Sequence, residues 1–297
     1  MFLIVEKGLK KLQKIFQGSI LTVIGVIGFL FCVLVIYCIV FNVVRLPGQQ
    51  GVFILNVLLS DLGTAITAVI RGLGIISKRF VGVTDDGEEN WFCYVYPLVS
   101  EFIWSSSLLV LLPLTIDRFI AIVFPLKHKV LITPKSSTVL ISLAWILALS
   151  RALLFIIMYS MGNGQFGYKT SYHRCVLIDY RHEKYETADK VMAALAGEVP
   201  LALVSILYII MAISILKSGR SLKKIIRVSS VIVLTGLIAV IPDTISFQFD
   251  ITMNYEVAQV FTVTFWYFNC VVDPLVYFFS HPVMKGVLSD IFRRRKF

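Results

Sequence analysis

Asp61, Asp117 with Arg118, and Asp273 are the clearest cases of ionisable residues in or at the ends of long apolar runs of this chain. If those runs lie in a low-dielectric medium, each charge costs at least ~2.5–3.5 kcal/mol to place there, and such a residue is expected to serve in pairing, ion binding or proton relay. Asp117 and Arg118 are adjacent. Read from the residues alone, they can be an interfacial pair that only marks the end of a run. Ser107 precedes Arg118 by eleven residues, about three helical turns at ~1.5 Å per residue. That brings a hydroxyl to the depth of Asp61 and Asp273. Glu101, Arg151, Glu198 and Asp243 lie nearer the opposite ends of their runs. Arg151 and Glu101 are expected to pair. The sequence offers no metal-ligand cluster, nucleophile elbow or phosphate loop, so enzymatic chemistry is not expected.

The elements that carry these residues are long and apolar. Of 297 residues, 58% are hydrophobic and only 15% charged, and the mean hydropathy is +0.85. A soluble domain of this size needs more charge to cover its surface. Apolar stretches recur at roughly 19–44, 50–77, 93–123, 137–160, 191–216, 225–249 and 257–279, each near the ~20 residues that cross a ~30 Å hydrocarbon core. The runs are continuously apolar, where barrel strands would alternate over about ten residues. The expected fold is an all-α membrane protein, a seven-transmembrane helix bundle. Its parts are an extracellular N-terminus (1–18), the seven-span domain (19–279), and a cytoplasmic amphipathic helix and basic tail (280–297).

Alternate connections differ in charge. One set holds Arg45, then Lys127, Lys129 and Lys135, then Lys217, Arg220, Lys223, Lys224 and Arg227, and the C-terminal segment adds Lys285, Arg293, Arg294, Arg295 and Lys296 against the single acid Asp290. The other set mixes signs, with Asp85, Asp86, Glu88 and Glu89 beside Lys78 and Arg79. The positive-inside rule places the first set in the cytoplasm, with the N-terminus outside and the C-terminus inside. The expected location is the plasma membrane. The net charge of +10 belongs to topology and lipid headgroups, and nucleic acid is not an expected partner. Lys7, Lys10, Lys11 and Lys14 oppose the rule but are outweighed. With Phe2, Val5, Leu9, Leu12 and Phe16 at helical spacing between them, this segment forms either a short helix on the outer leaflet or a frayed tail. It lacks the features of a cleaved signal peptide.

Cys32, Cys38 and Cys270 fall inside spans and are expected as free thiols. Cys93 opens the third span on the outer side, and Cys175 lies in the long outer connection between spans four and five. Both face an oxidising compartment, which allows a bridge that would pin that connection over the bundle mouth. Two separate thiols are the alternative.

The motifs then resemble, in order and across nearly the whole chain, the rhodopsin-like (class A) G-protein-coupled receptors. LNVLLSDL ending at Asp61 is similar to the family's span-two segment. DRFIAIVFPLKH after Cys93 resembles the DRY motif and its Pro-Leu loop, at the family's Cys-to-Arg interval. Trp145 resembles the span-four tryptophan, Pro200 with Tyr208 the span-five pair, and Pro242 the span-six kink proline. Asn269 and DPLVY at 273–277 resemble the NPxxY segment in its Asp variant. The segment 281–293 resembles the amphipathic helix that follows. Departures are the missing span-one asparagine, with Cys32 or Val33 nearby, and Val240, Gly236 and Leu222 at span-six positions that elsewhere hold tryptophan, phenylalanine and an acid. Trp104 on span three is a candidate to fill part of that gap.

The resemblance implies a receptor that binds an extracellular ligand within the bundle and activates a heterotrimeric G protein. The implied switch residues are Asp117, Arg118, Tyr208, Pro242, Asp273 and Tyr277. Asp61, Ser107, Asn269 and Asp273 match the family's sodium pocket, with a purely structural polar network as the alternative, and Asp61 and Asp273 would be the metal ligands. Ser100, Glu101, Trp104, Asp243 and Tyr267 are the candidate ligand pocket. Tyr267 stands where retinal-binding members carry their Schiff-base lysine, so no retinal is expected and a sodium ion is the one candidate cofactor. Glu101, Glu198, Asp243 and Asp250 tilt the mouth negative, which suggests a cationic small molecule or short peptide anchored at Asp243. The rival readings are a seven-span transporter or ion pump using the same acids as a relay, whose broken or repeated helices are not found here, and a membrane protein that does not signal.

Overall fold

A computed structural model of the chain describes residues 2–41, 49–77, 91–161, 165–169, 174–178, 183–218 and 255–280. The expected sixth span (225–249), with Pro242, Asp243, Gly236, Val240 and Leu222, lies outside the described residues, as does the segment after 280. The described helices are α1 (Phe2–Val40), α2 (Gln50–Ile76), α3 (Trp91–Leu109), α4 (Leu111–Val123), α5 (Pro125–Leu131), α6 (Pro134–Ser160), α7 (Glu183–Ala193), α8 (Val199–Ser218) and α9 (Tyr255–Ser280). Among the described residues, five stretches are long and apolar enough to cross a membrane: Leu12–Val40, Gln50–Ile76, Cys93–Val123, Pro134–Ser160 and Thr187–Lys217. Val263–Phe279 is a shorter apolar helix. Helix is the outcome because a chain in hydrocarbon must satisfy its backbone internally. Leu30, Ile146 and Ile209 are exposed on the outside of the bundle, as side chains that meet lipid tails.

The breaks in these helices have local causes. Pro113 lacks the N–H that would bond to the carbonyl four residues earlier and crowds it, and the third span is divided at Val110 into α3 and α4. Pro274 likewise leaves the Cys270 carbonyl without its helical donor, and the Cys32 thiol donates to it at 3.7 Å. A π-helical turn (Ala194–Glu198) joins α7 to α8 just before Pro200; such turns concentrate at functional sites. α6 starts with Pro134 at its first turn and a reciprocal cap between Thr133 and Ser136.

Packing places α1 against α2 and α9, α3 against α6, and α4 against α8. In a bilayer, lipid tails are as apolar as leucine, so helix association rests on close packing rather than release of water. The α1–α2 contact shows this. A Cβ on Gly25 would lie 2.6 Å from the Ala65 carbonyl, and one on Gly72 2.6 Å from the Gly18 carbonyl, so only glycine permits this approach. Among the described residues, the largest buried cluster joins Phe53, Val57 and Leu58 of α2 to Leu109, Leu114, Ala148 and Phe278.

Two features differ from expectation. α1 is a single helix from Phe2 to Val40, about 58 Å at ~1.5 Å per residue, so the lysine-bearing segment continues the first span instead of forming a separate leaflet helix. The connection after α6 contains an antiparallel hairpin, β1 (Gln165–Lys169) with β2 (Arg174–Ile178), pairing Tyr168 with Cys175. Cross-strand pairing satisfies the backbone groups of a segment that has no helix to do so. β2 packs against α2 and α3, and Cys175 is disulfide-bonded to Cys93, so the hairpin caps one end of the bundle.

Candidate functional site

Three polar groups occupy the bundle at successive depths. At the end opposite the hairpin, α4 carries Asp117, 3% exposed, and Arg118. Arg118 Nε is 3.6 Å from Asp117 Oδ2. His128 of the short helix α5 donates from Nε2 to Asp117 Oδ1 at 2.8 Å. Asp117 is thus a shared acceptor, and α5 is docked on the third span through it. α5 forms because Pro125 opens it, and it leaves Leu126 94% exposed. The Lys127 ammonium stands 6.0 Å over the Phe124 ring.

At mid-depth Asp61 of α2 and Asp273 of α9 are both 4% exposed and lie within electrostatic reach of each other and of Cys32 and Cys270. Asp61 Oδ2 and Asp273 Oδ1 have no hydrogen-bond partner among the described residues. Ser60 and Ser106 share a 2.9 Å hydrogen bond beside them. Ser107 is half-buried and donates to the Trp104 carbonyl at 2.9 Å, and Asn269 is half-buried on α9. Two buried carboxylates with unused oxygens are oxygen-rich and negative, so the donor set fits a small hard cation. Tyr277, whose buried hydroxyl has no hydrogen-bond partner among the described residues, lies within electrostatic reach of Asp273, Tyr208, Asp61 and Arg118, between the middle group and the Arg118 end. Beside it, the Trp145 indole donates to Asn56 Oδ1 at 2.9 Å, tying α6 to α2.

Nearest the hairpin, Arg151 of α6 is 3% exposed. It meets Glu101 of α3 at 3.6 Å, as expected, but its closer partner is Asp189 of α7, which takes it through both the carboxylate and, at 3.1 Å, the backbone carbonyl. The Phe155 ring lies 4.8 Å beneath the guanidinium. Of the expected pocket residues, Ser100 is buried and donates to the Pro97 carbonyl. Trp104 is half-buried against Gly197 of the π-turn, where a Cβ would lie 2.6 Å from its ring. Tyr267 is 2% exposed. Asp243 lies outside the described residues.

Sequence reasoning does not single out Arg71, Asp189, His128, Ser60, Ser106 or Asn56. Arg71 carries a plain signal, a cation inside the apolar run that also holds Asp61. Asp189 and His128 carry none, because each acts through a partner on another helix.

The chain matches the family model described as 7 transmembrane receptor (rhodopsin family) over residues 31–277. It is 24% identical to the allatostatin-A receptor of Bombyx mori, an alignment covering 93% of this chain and 78% of that protein. It is 22% identical to olfactory receptor 2A12 of Homo sapiens, covering 85% and 83% of the two chains. It is 25% identical to melanopsin-B of Xenopus laevis, covering 70% of this chain and 37% of that one. In three dimensions it is similar to the crystal structure of squid rhodopsin, with a TM-score of 0.75 at 16% identity, covering 95% of this chain and 86% of that one.

Proposed function

Because this chain belongs to the rhodopsin family of seven-transmembrane receptors and is a multi-pass G-protein-coupled receptor, not an enzyme, we propose that it lies in the plasma membrane with its disulfide end outside, binds a small molecule or short peptide there, and activates a heterotrimeric G protein at the Arg118 end. The observation that carries this is the polar column from Asp61 and Asp273 through Tyr277 to Arg118. A ligand that shifts the helices at one end changes which of these groups meet, and so changes the relative stability of two states. The exposed Leu126, set among Lys127, His128 and Lys129, supplies an apolar contact with a basic rim at the G-protein face. The cation at rest is sodium, held by Asp61 and Asp273 with Ser107 and Asn269 near it. It neutralises the two carboxylates and favours the inactive state.

The test is G-protein nucleotide exchange by the full chain against a ligand library, with Arg118→Ala at matched surface expression as the control. Ligand-driven exchange that disappears in Arg118→Ala is expected. Exchange indistinguishable from the Arg118→Ala background with every G-protein class and every compound would reject the coupling.

A further inference from the structure

Along α1, Lys7, Lys11, Lys14, Gly18, Leu21 and Gly25 recur at alternating spacings of four and three, which sets them in one row on a helix. From Gly18 onward this row is the side of α1 that packs on the bundle. A Cβ on Gly18 would lie 2.6 Å from the Gly72 carbonyl and 2.6 Å from the Ile76 side chain. Leu21 is buried with Ala68, Ile75 and Tyr267, and Gly25 abuts the Ala65 carbonyl. α2 ends at Ile76, the residue that meets Gly18, while α1 is one helix back to Phe2. The row therefore runs on past the end of α2 for eleven residues to Lys7, about 16 Å at ~1.5 Å per residue. Lys10 flanks it and Glu6 lies off it. Lys14 is exposed.

Neither topology nor helix formation accounts for these lysines. The positive-inside rule disfavours cations at this end, and like charges three and four residues apart oppose the helix that carries them. Lipid is met by the other side of α1, where Leu12, Phe16 and Val23 are exposed. The lysine row lies instead in line with the face that packs on α2, at the end of the bundle that the hairpin caps. It begins where that face loses its partner helix, and what complements it there is a run of negative charge. We propose that the projecting end of α1 is a docking face for an acidic stretch of an extracellular peptide. The row matches about five extended residues at ~3.3 Å each. The contact concentrates the peptide at the mouth and speeds its encounter, and it weakens as salt screens it. The proposal rests on the reading that a peptide ligand reaches the disulfide end, and it names the chemistry of one part of that ligand.

The experiment is fluorescence anisotropy of labelled hexaglutamate, beside hexaglutamine, with the purified full-length chain in neutral detergent. Hexaglutamate binds at least tenfold more tightly than hexaglutamine, and the preference shrinks as salt rises from ~50 to ~500 mM. The combined variant Lys7→Gln, Lys10→Gln, Lys11→Gln, Lys14→Gln abolishes the preference at an unchanged melting temperature. The arginine version of the same four changes keeps it, which separates charge from folding. No preference in the native chain, or a preference that survives the glutamine variant, overturns the proposal. So does a preference lost instead in Lys127→Gln, Lys129→Gln at the opposite end. Two other occupants are read in the same assay. Loss of binding in bilayer discs containing phosphatidylserine, but not in phosphatidylcholine alone, gives the face to lipid. Binding that appears only when Asp85, Asp86, Glu88 and Glu89 are changed to their amides gives it to the chain's own α2–α3 connection. Either result overturns the proposal. The readout needs no G protein, so failure of coupling and failure of docking are separate results.

Discussion

The Arg151 group and the Asp61–Asp273 group are both buried and charged, yet they are built in opposite ways. Around Arg151 one cation meets two carboxylates and a carbonyl drawn from α3 and α7. Around Asp61 two acids come together, and each leaves an oxygen without a partner among the described residues. The first is held by its ion pairs, with only the Arg151 Nε left without a partner among the described residues, and it ties spans three, four and five. The second is an open one, whose unused carboxyl oxygens are available to something that enters. A buried network with its partners in place resists change, whereas one with unused acceptors responds to what it binds.

The strongest way to break the comparison is to open the Arg151 group. Arg151→Met leaves Asp189 buried without its cation, which costs about 3–5 kcal/mol. Surface expression and melting temperature of the variant should fall sharply. Adding Asp189→Leu should recover much of the loss, because the uncompensated charge goes with it; a double variant no better than the single one would show that Arg151 acts through packing alone.

The disulfide closes the same end covalently. Cys175→Ser should lower folded yield and ligand binding, with an effect of about 2–4 kcal/mol as an upper guide from soluble domains. Radioligand or thermal-shift measurements at matched expression check it, and unaltered binding and yield would separate the hairpin from the ligand site.

The open network should respond to its cation. Sodium, but not choline, is expected to raise the melting temperature, by the equivalent of ~1.4 kcal/mol when sodium is about tenfold above its dissociation constant. Asp61→Asn or Asp273→Asn should remove that response, while the Arg151→Met, Asp189→Leu double variant keeps it. Equal responses to sodium and choline in the native chain would remove the distinction between the two groups.

A smaller effect is expected at Asp117, which lies between the extremes because its acceptors are divided between Arg118 and His128. His128→Ala frees Asp117 for Arg118 and undocks α5. Agonist-driven and basal nucleotide exchange should both fall about fivefold, from an interaction worth ~1 kcal/mol at a partly exposed pair. A rise in basal exchange would mean that His128 restrains the receptor instead.

What is legible in the sequence follows the physics of each feature. Six of the seven expected spans coincide with described helices, and Asp61, Asp117 and Asp273 are as buried as their apolar surroundings imply. Compartment and placement allow either a Cys93–Cys175 bridge or two separate thiols, and the bridge is formed. The lysines of the N-terminal segment suggest an interface, yet its helical spacing simply continues into the first span. Sequence alone pairs Arg151 with Glu101, since both are charges in spans. Asp189 is nearer because the helix of span five begins at Glu183 and projects past the apolar run, beyond where hydropathy places its start.

Hydropathy and motif order by themselves determined that this chain crosses a membrane as a helical bundle of the rhodopsin family, because a bilayer rewards an apolar run of sufficient length wherever its partners lie. The tertiary structure alone decided which charges meet: Arg151 with Asp189, His128 with Asp117, Arg71 with the face of Tyr267. Those meetings depend on the rotation and closeness of each helix, set by packing such as the glycine contacts between α1 and α2, and that information is spread over residues far apart in the chain.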